Sequence, residues 1–253
     1  MTRLACIRIL LFLLTGIMTS CITTRSNSYL QEGDNLPQYA AADYSAYRLR
    51  PNDQLSMRVL TLDKDAAKVF NTGSGNNNSS NAYSYRVYED GTVDFPFLNG
   101  VKVAGLTLRE ASAKLQDTLR TMVPDATVKL AMTNECFYFV GEGGSGAFTF
   151  YKERLNIFQA LALVGDLASN GDRRRVRVVR PDPAGGRPEV REFDLRSRSV
   201  IGSEYYWVYP NDVIYVSSIP GDFWKVEDYS AAVGTLSSSI SFLVTVINLG
   251  LSF

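Results

Sequence analysis

No charged residue follows Asp228, so the chain closes on an uncharged run that ends at Phe253. Laid on a helix, Thr235, Ser238, Ser241, Thr245, Asn248 and Ser252 recur at intervals of three or four and form one polar stripe. Leu236, Ile240, Leu243, Val244, Ile247 and Leu251 form the opposite, apolar face. From Ala231 to Ser252 such a helix spans roughly 33 Å, about a bilayer core. Phe223, Trp224 and Tyr229 stand where an interfacial aromatic belt belongs. The pattern predicts a C-terminal amphipathic transmembrane helix over 222–253. A lone helix would turn Asn248 to hydrocarbon, at a cost on the order of 1–3 kcal/mol. Several copies with their stripes turned inward satisfy every polar group. The stripe then lines water, or packs dry in a helix bundle. From Val246 to Phe253 the residues also alternate as in a strand, but one strand cannot close a barrel.

The opposite end reads as a targeting segment. Arg3 and Arg8 precede an apolar run, Ile9–Leu14, far shorter than the ~20 residues a spanning helix needs. Met18-Thr-Ser-Cys21 resembles a bacterial lipobox, which predicts a signal peptide over 1–20 and a lipid on Cys21. No aspartate follows the cysteine, which fits outer-membrane retention. Cys6 leaves with the signal and Cys21 is lipidated. Cys136 then stands alone in an apolar strand-like run, so no disulfide framework is expected.

Composition narrows the chemistry. An apolar share of 45% with 21% charged residues is that of globular domains, which excludes disorder and collagen-like repeats. Twenty-six basic against 26 acidic residues give no electrostatic case for binding nucleic acid. The chain has 0 histidines, which removes every His-based mechanism and most zinc, copper and haem sites. No G-x-S-x-G occurs, and the carboxylates Asp90, Asp94, Glu142 and Glu153 are scattered, so neither an enzyme nor a cofactor is expected.

Between the ends the pattern is α+β. Residues 21–46 are polar and aperiodic, a tether. A first unit runs over 47–133. Arg50-Pro-Asn-Asp53 turns into the strand LSMRVLTL, and YSYRV and TVDFPFL follow. Thr107 and Glu110 have capping-box spacing before a helix with Leu108, Ala111, Leu115, Leu119 and Met122 on one face, and ATVKLAM is a further strand. A second unit runs over 134–218. It holds two strands joined by a glycine turn, a helix over 155–167, and strands in VRVVR, VREFDL and YWVYPNDVIYV. Tyr209-Pro-Asn-Asp212 repeats the earlier corner.

Three patterns invite a binding role. Gly141-Glu-Gly-Gly-Ser-Gly146 has nucleotide-loop spacing, but a strand follows rather than a helix, so it reads as a turn. Arg173, Arg175 and Arg177 share a face in strand register; a solvated face is the plain reading, contact with an acidic polymer the sharper one. Tyr205, Trp207 and Tyr209 share another face, where rings serve a core, an interface or a glycan.

Taken together, these residues resemble the bacterial outer-membrane polysaccharide export lipoproteins of the Wza type. Tyr47-Arg-Leu-Arg-Pro-Asn-Asp53-Gln-Leu, Glu89 to Gly100, Val103 to Glu110 and Pro124 to Val128 resemble the family's export domain. Phe139 to Glu142, the helix, Val178-Val-Arg180 and Pro210 to Val216 resemble a soluble-ligand-binding β-grasp (SLBB) domain. The resemblance implies a homo-oligomeric ring in the outer membrane, its bulk in the periplasm. The C-terminal helices would form a pore for capsular or exopolysaccharide, and an inner-membrane polysaccharide co-polymerase would dock below. Asn52 and Asn211 depart from the family by replacing a glycine before each aspartate. The other reading is a periplasmic glycan-binding or scaffold lipoprotein whose tail only anchors it.

Overall fold

The computed structural model describes residues 27–71, 84–182 and 186–219, together with Ser237, Ser238 and Ser241. Cys21, Thr235, Thr245, Asn248 and Ser252 lie outside these residues. Ser238 and Ser241 are helical and exposed. Among the described residues no helix is long and apolar enough to cross a membrane.

The architecture is α+β, with two buried clusters that share no residue. In the first unit β1 (Gln54–Leu60) lies between β2 (Tyr85–Arg86) and β5 (Thr127–Met132), antiparallel to both. Helix α1 (Lys64–Asn71) follows β1, and β3 (Thr92–Phe95) pairs with β4 (Leu98–Lys102) as a hairpin. Helix α2 (Leu108–Leu119) starts where its capping box predicts: Thr107 Oγ1 accepts the Glu110 N–H, and the Glu110 carboxylate accepts the Thr107 N–H. Its Ala111, Leu115 and Leu119 are fully buried among Leu49, Leu55, Val93 and Val103. Each buried leucine contributes roughly 1.5–3 kcal/mol.

The second unit is a five-stranded sheet crossed by one helix. Its order is β10 (Glu189–Phe193), β9 (Gly171–Arg180), β12 (Val213–Ser218), β6 (Cys136–Gly141) and β7 (Gly146–Thr149). The first and last of these strands in sequence, β6 and β12, pair in parallel at the centre; all other pairs are antiparallel. Phe137, Phe139, Val176, Val178, Ile214 and Val216 alternate onto one face and bury Ile157, Ala160 and Leu161 of helix α3 (Ile157–Val164). The glycine run forms the β6–β7 hairpin, as expected of a turn. The helix is shorter than the 155–167 of the sequence pattern. Asn156 caps it through Gln159, and Gly165, at φ +99°, ends it. Leu155–Asn156 is instead strand β8, paired with β11 (Trp207–Val208). Cys136 is half-buried, with its thiol free.

The tether reading fails for the described part, 27–46. These residues lie along the second unit, with bridges Gln31–Ser197 and Ala41–Ser203. Three tyrosines hold the strap down. The Tyr29 ring lies over Arg173 and meets Phe158 edge-on, and its hydroxyl donates to Asp166. Tyr39 packs against Tyr205, and its hydroxyl accepts the Asp194 N–H at 2.8 Å. Tyr44 stacks on Tyr209. A polar composition conceals these contacts because one tyrosine every five to ten residues has no period. The two ends of the described fold also meet. Asn27 donates to the Ser169 carbonyl and the Ile219 N–H to that of Asn170.

Candidate functional site in the cleft between the two units

The repeated Pro-Asn-Asp corner is one geometry used twice. In the first corner the Arg50 N–H donates to the Asp53 carboxylate at 2.8 Å and the Asp53 N–H to the Arg50 carbonyl. In the second, Tyr209 and Asp212 make the same pair of bonds, the carboxylate contact at 2.9 Å. Asn52 and Asn211 both take the left-handed conformation, at φ 71° and 67°, which explains how asparagine stands in for glycine. Both aspartates are buried, at 1% and 0% exposure.

The corners face each other across the junction. The Asn211 side chain of the second stands close enough to Asp53 and Tyr47 of the first to favour their charged forms. Arg50 of the first donates to the Pro181 carbonyl of the second unit at 2.9 Å and lies over the Tyr47 ring. The Tyr47 hydroxyl donates one forked bond to the two Asp53 carboxylate oxygens, at 3.1 and 3.0 Å. Asp212 is gripped by Arg180 at 2.7 and 2.9 Å, while Arg180 also donates to the Trp207 carbonyl. Burial pushes both carboxyls up, against the bonds that favour their charge. Burial, then the Asp53 charge, pushes the Tyr47 hydroxyl well above its ordinary range.

Beside this junction opens a cleft of about 270 Å³. Asp43, Tyr47, Arg48 and Arg50 line one side; Arg180, Arg191, Glu204, Trp207 and Tyr209 line the other. Arg48 is engaged with Glu110, Arg180 with Asp212, and Arg191 with Glu189 and Glu204. Arg50 has no carboxylate within ion-pair distance among the described residues.

The residues singled out from sequence are dispersed. Trp207 and Tyr209 reach the cleft, but β11 is two residues long and of the three rings holds only Trp207. Tyr205 stacks on Phe193 and meets Tyr39. Tyr209 already carries Arg180 over its ring and Tyr44 stacked parallel to it. The arginines are a correction too. Arg175 and Arg177 are exposed, but Arg173 is 5% exposed and donates to the carbonyls of Leu167, Ala168 and Gly171. The cause is a bulge. Between the pairs Gly171–Ser218 and Val176–Val216, β9 advances five residues while β12 advances two, so alternation breaks. Arg174 and Arg175 pair with Asp172, and Arg177 with Glu192, so the cluster is locally neutralised.

Residues 41–133 match the family model described as polysaccharide biosynthesis/export protein. The first unit is similar to that export family. The matched stretch begins inside the strap, at Ala41, and takes in the whole first corner and one wall of the cleft. The export family is one of transport rather than catalysis. Its domain here supplies Tyr47, Arg50 and Asp53, none of which sequence reasoning marked as a site. The signal that could have found them is the repeated corner itself, since two buried aspartates in one geometry meet at one junction.

Proposed function

We propose that this protein is a subunit of an outer-membrane conduit that exports capsular or exopolysaccharide without catalysis. The observation that carries the reading is the export-family match over 41–133. The order of parts supports it: a lipobox at Cys21, the export domain, a second unit of β-grasp type, and the uncharged tail. The common departure point of the two ends, at Ser169 and Asn170, supports it too, because a lipid on Cys21 and a tail over 222–253 can then enter one membrane together. In this reading the tails of a homo-oligomeric ring surround the lumen. Thr235, Ser238, Ser241, Thr245, Asn248 and Ser252 face the passing polymer, and a polysaccharide co-polymerase of the inner membrane docks from below.

The outer face of the five-stranded sheet supports self-association. The register aligns Val190, Val179, Val213 and Tyr138 in one row across four strands, and Val190 and Tyr138 are exposed. We assign this row to contact with a second copy, since the polar stripe of the tail also requires several copies.

The test is secretion together with conductance. Asn248→Leu and Ser241→Leu should reduce polymer release and planar-bilayer conductance while leaving the amount of membrane-bound protein unchanged. Full export by both variants would overturn the conduit and leave an anchored glycan-binding scaffold, a reading the cleft also accommodates.

A further inference from the structure

The cleft beside the two corners carries an inference about what the exported polymer contains. Four arginines line it against two acids, Asp43 and Glu204. Among the described residues only four buried side-chain polar atoms lack a partner, and two of them, Nε of Arg50 and Nε of Arg191, belong to this lining. A buried N–H with nothing to donate to is costly, and two in one cleft call for an explanation. Arg50 and Arg191 also come from different units, so an acceptor held between them would bridge the junction. A carboxylate suits this place. Guanidinium forks match its two oxygens, and among the described residues Arg50 is the lining arginine with no carboxylate within ion-pair distance. Tyr47 and Trp207 add the apolar ring surface on which a sugar's C–H face packs. The cavity, about 270 Å³, holds one or two sugar rings rather than a long chain.

We propose that the cleft is a binding site for a carboxylate-bearing sugar residue, a uronic acid or its equivalent, of an acidic polysaccharide. The sugar's carboxylate is held between the Arg50 and Arg191 guanidinium groups, and its ring packs against Trp207. The identity of the polymer rests on the export reading; the site itself does not.

The experiment is calorimetric titration of the full chain in detergent with tetragalacturonate, and with the neutral tetrasaccharide cellotetraose, at low salt. The uronate should bind saturably and the neutral sugar at least about tenfold more weakly. Arg50→Gln and Arg191→Gln should each weaken the uronate about tenfold or more. Asp43→Asn, which removes a repelling charge from the lining, should tighten it about threefold. That arm keeps the test decisive should an arginine variant fail to fold. Equal affinity for the two sugars, no uronate binding, or an Asp43→Asn variant with no gain overturns the site. A chain that still conducts and exports but binds no uronate overturns this inference and leaves the conduit standing.

Discussion

Asp53 and Asp212 hold the same place in two turns of one design, and Arg50, which opens the first, donates across the junction to the Pro181 carbonyl. The two units are therefore fastened by the same device used face to face. Each aspartate ties its own corner, and the side chains next to it reach across.

Removing Asp212 should be severe. Asp212→Ala leaves Arg180, whose side chain is 15% exposed, without its partner, and strands the Tyr209 N–H. The expected loss is about 3–5 kcal/mol, read as a shift in the urea midpoint of the second unit. The double variant Asp212→Asn with Arg180→Gln should recover part of it. Strict additivity of the two single losses would show that the pair is not one unit.

The corners also predict an unusual tolerance. Asn52 sits at φ 71°, where a β-branched residue is strained. Asn52→Val should cost about 1–2 kcal/mol, and Asn52→Gly should be close to neutral apart from the bond Asn52 donates to Glu89. Equal melting temperatures for the valine and glycine variants would contradict the left-handed assignment.

A stronger backbone requirement lies at Gly141, the end of β6. At φ +118° a Cβ there would meet the Val216 carbonyl oxygen at 1.9 Å, and no flexible side chain could move aside. Gly141→Ala should cost on the order of 3 kcal/mol or more and loosen the parallel β6–β12 pairing. Hydrogen exchange at Ile214 and Val216, whose amides face β6, reads that pairing directly. Unchanged protection there would refute the claim.

Acid should act on helix α2 through its cap. The Thr107 N–H, then the Thr107 hydroxyl, holds the Glu110 carboxyl below its ordinary 4.5, with Arg48 helping. A depressed carboxylate adds stability that is present above the unfolded pKa and lost as pH falls through the folded one. Wild type should therefore melt above Glu110→Gln at neutral pH, and the gap should close below about pH 4. A gap that persists at pH 2.5 would exclude the carboxylate as its source.

Local signals were legible in the sequence; long-range ones were not. Thr107 with Glu110, and the strand alternation of Phe137 and Phe139, are encoded within a few residues and appear where read. The start of α3 was legible as well, because Asn156 and Gln159 have the same spacing as a capping box, but the apolar Leu155 drew the helix too far upstream. The pairing of Tyr29 with Asp166 spans 137 residues, and Tyr39 reaches Asp194 over 155, distances at which composition carries no register. Arg173 was assigned to the wrong face because a bulge is a property of two strands together. The cleft was illegible for the same reason: Arg50 and Arg191 have no relation until both units are folded.

The strap sets a leash. Asn27, fixed to Ser169, lies six steps along the chain from Cys21. Even fully extended they reach only about 22 Å. With Cys21 lipidated as proposed, the slack that a free stretch to residue 46 would give is gone. The second unit must stand close to the lipid surface, its Ser169–Asn170 corner foremost, while the export domain hangs beyond it. Tilting freedom is lost with the slack, so that the copies of the proposed ring would meet already facing the same way.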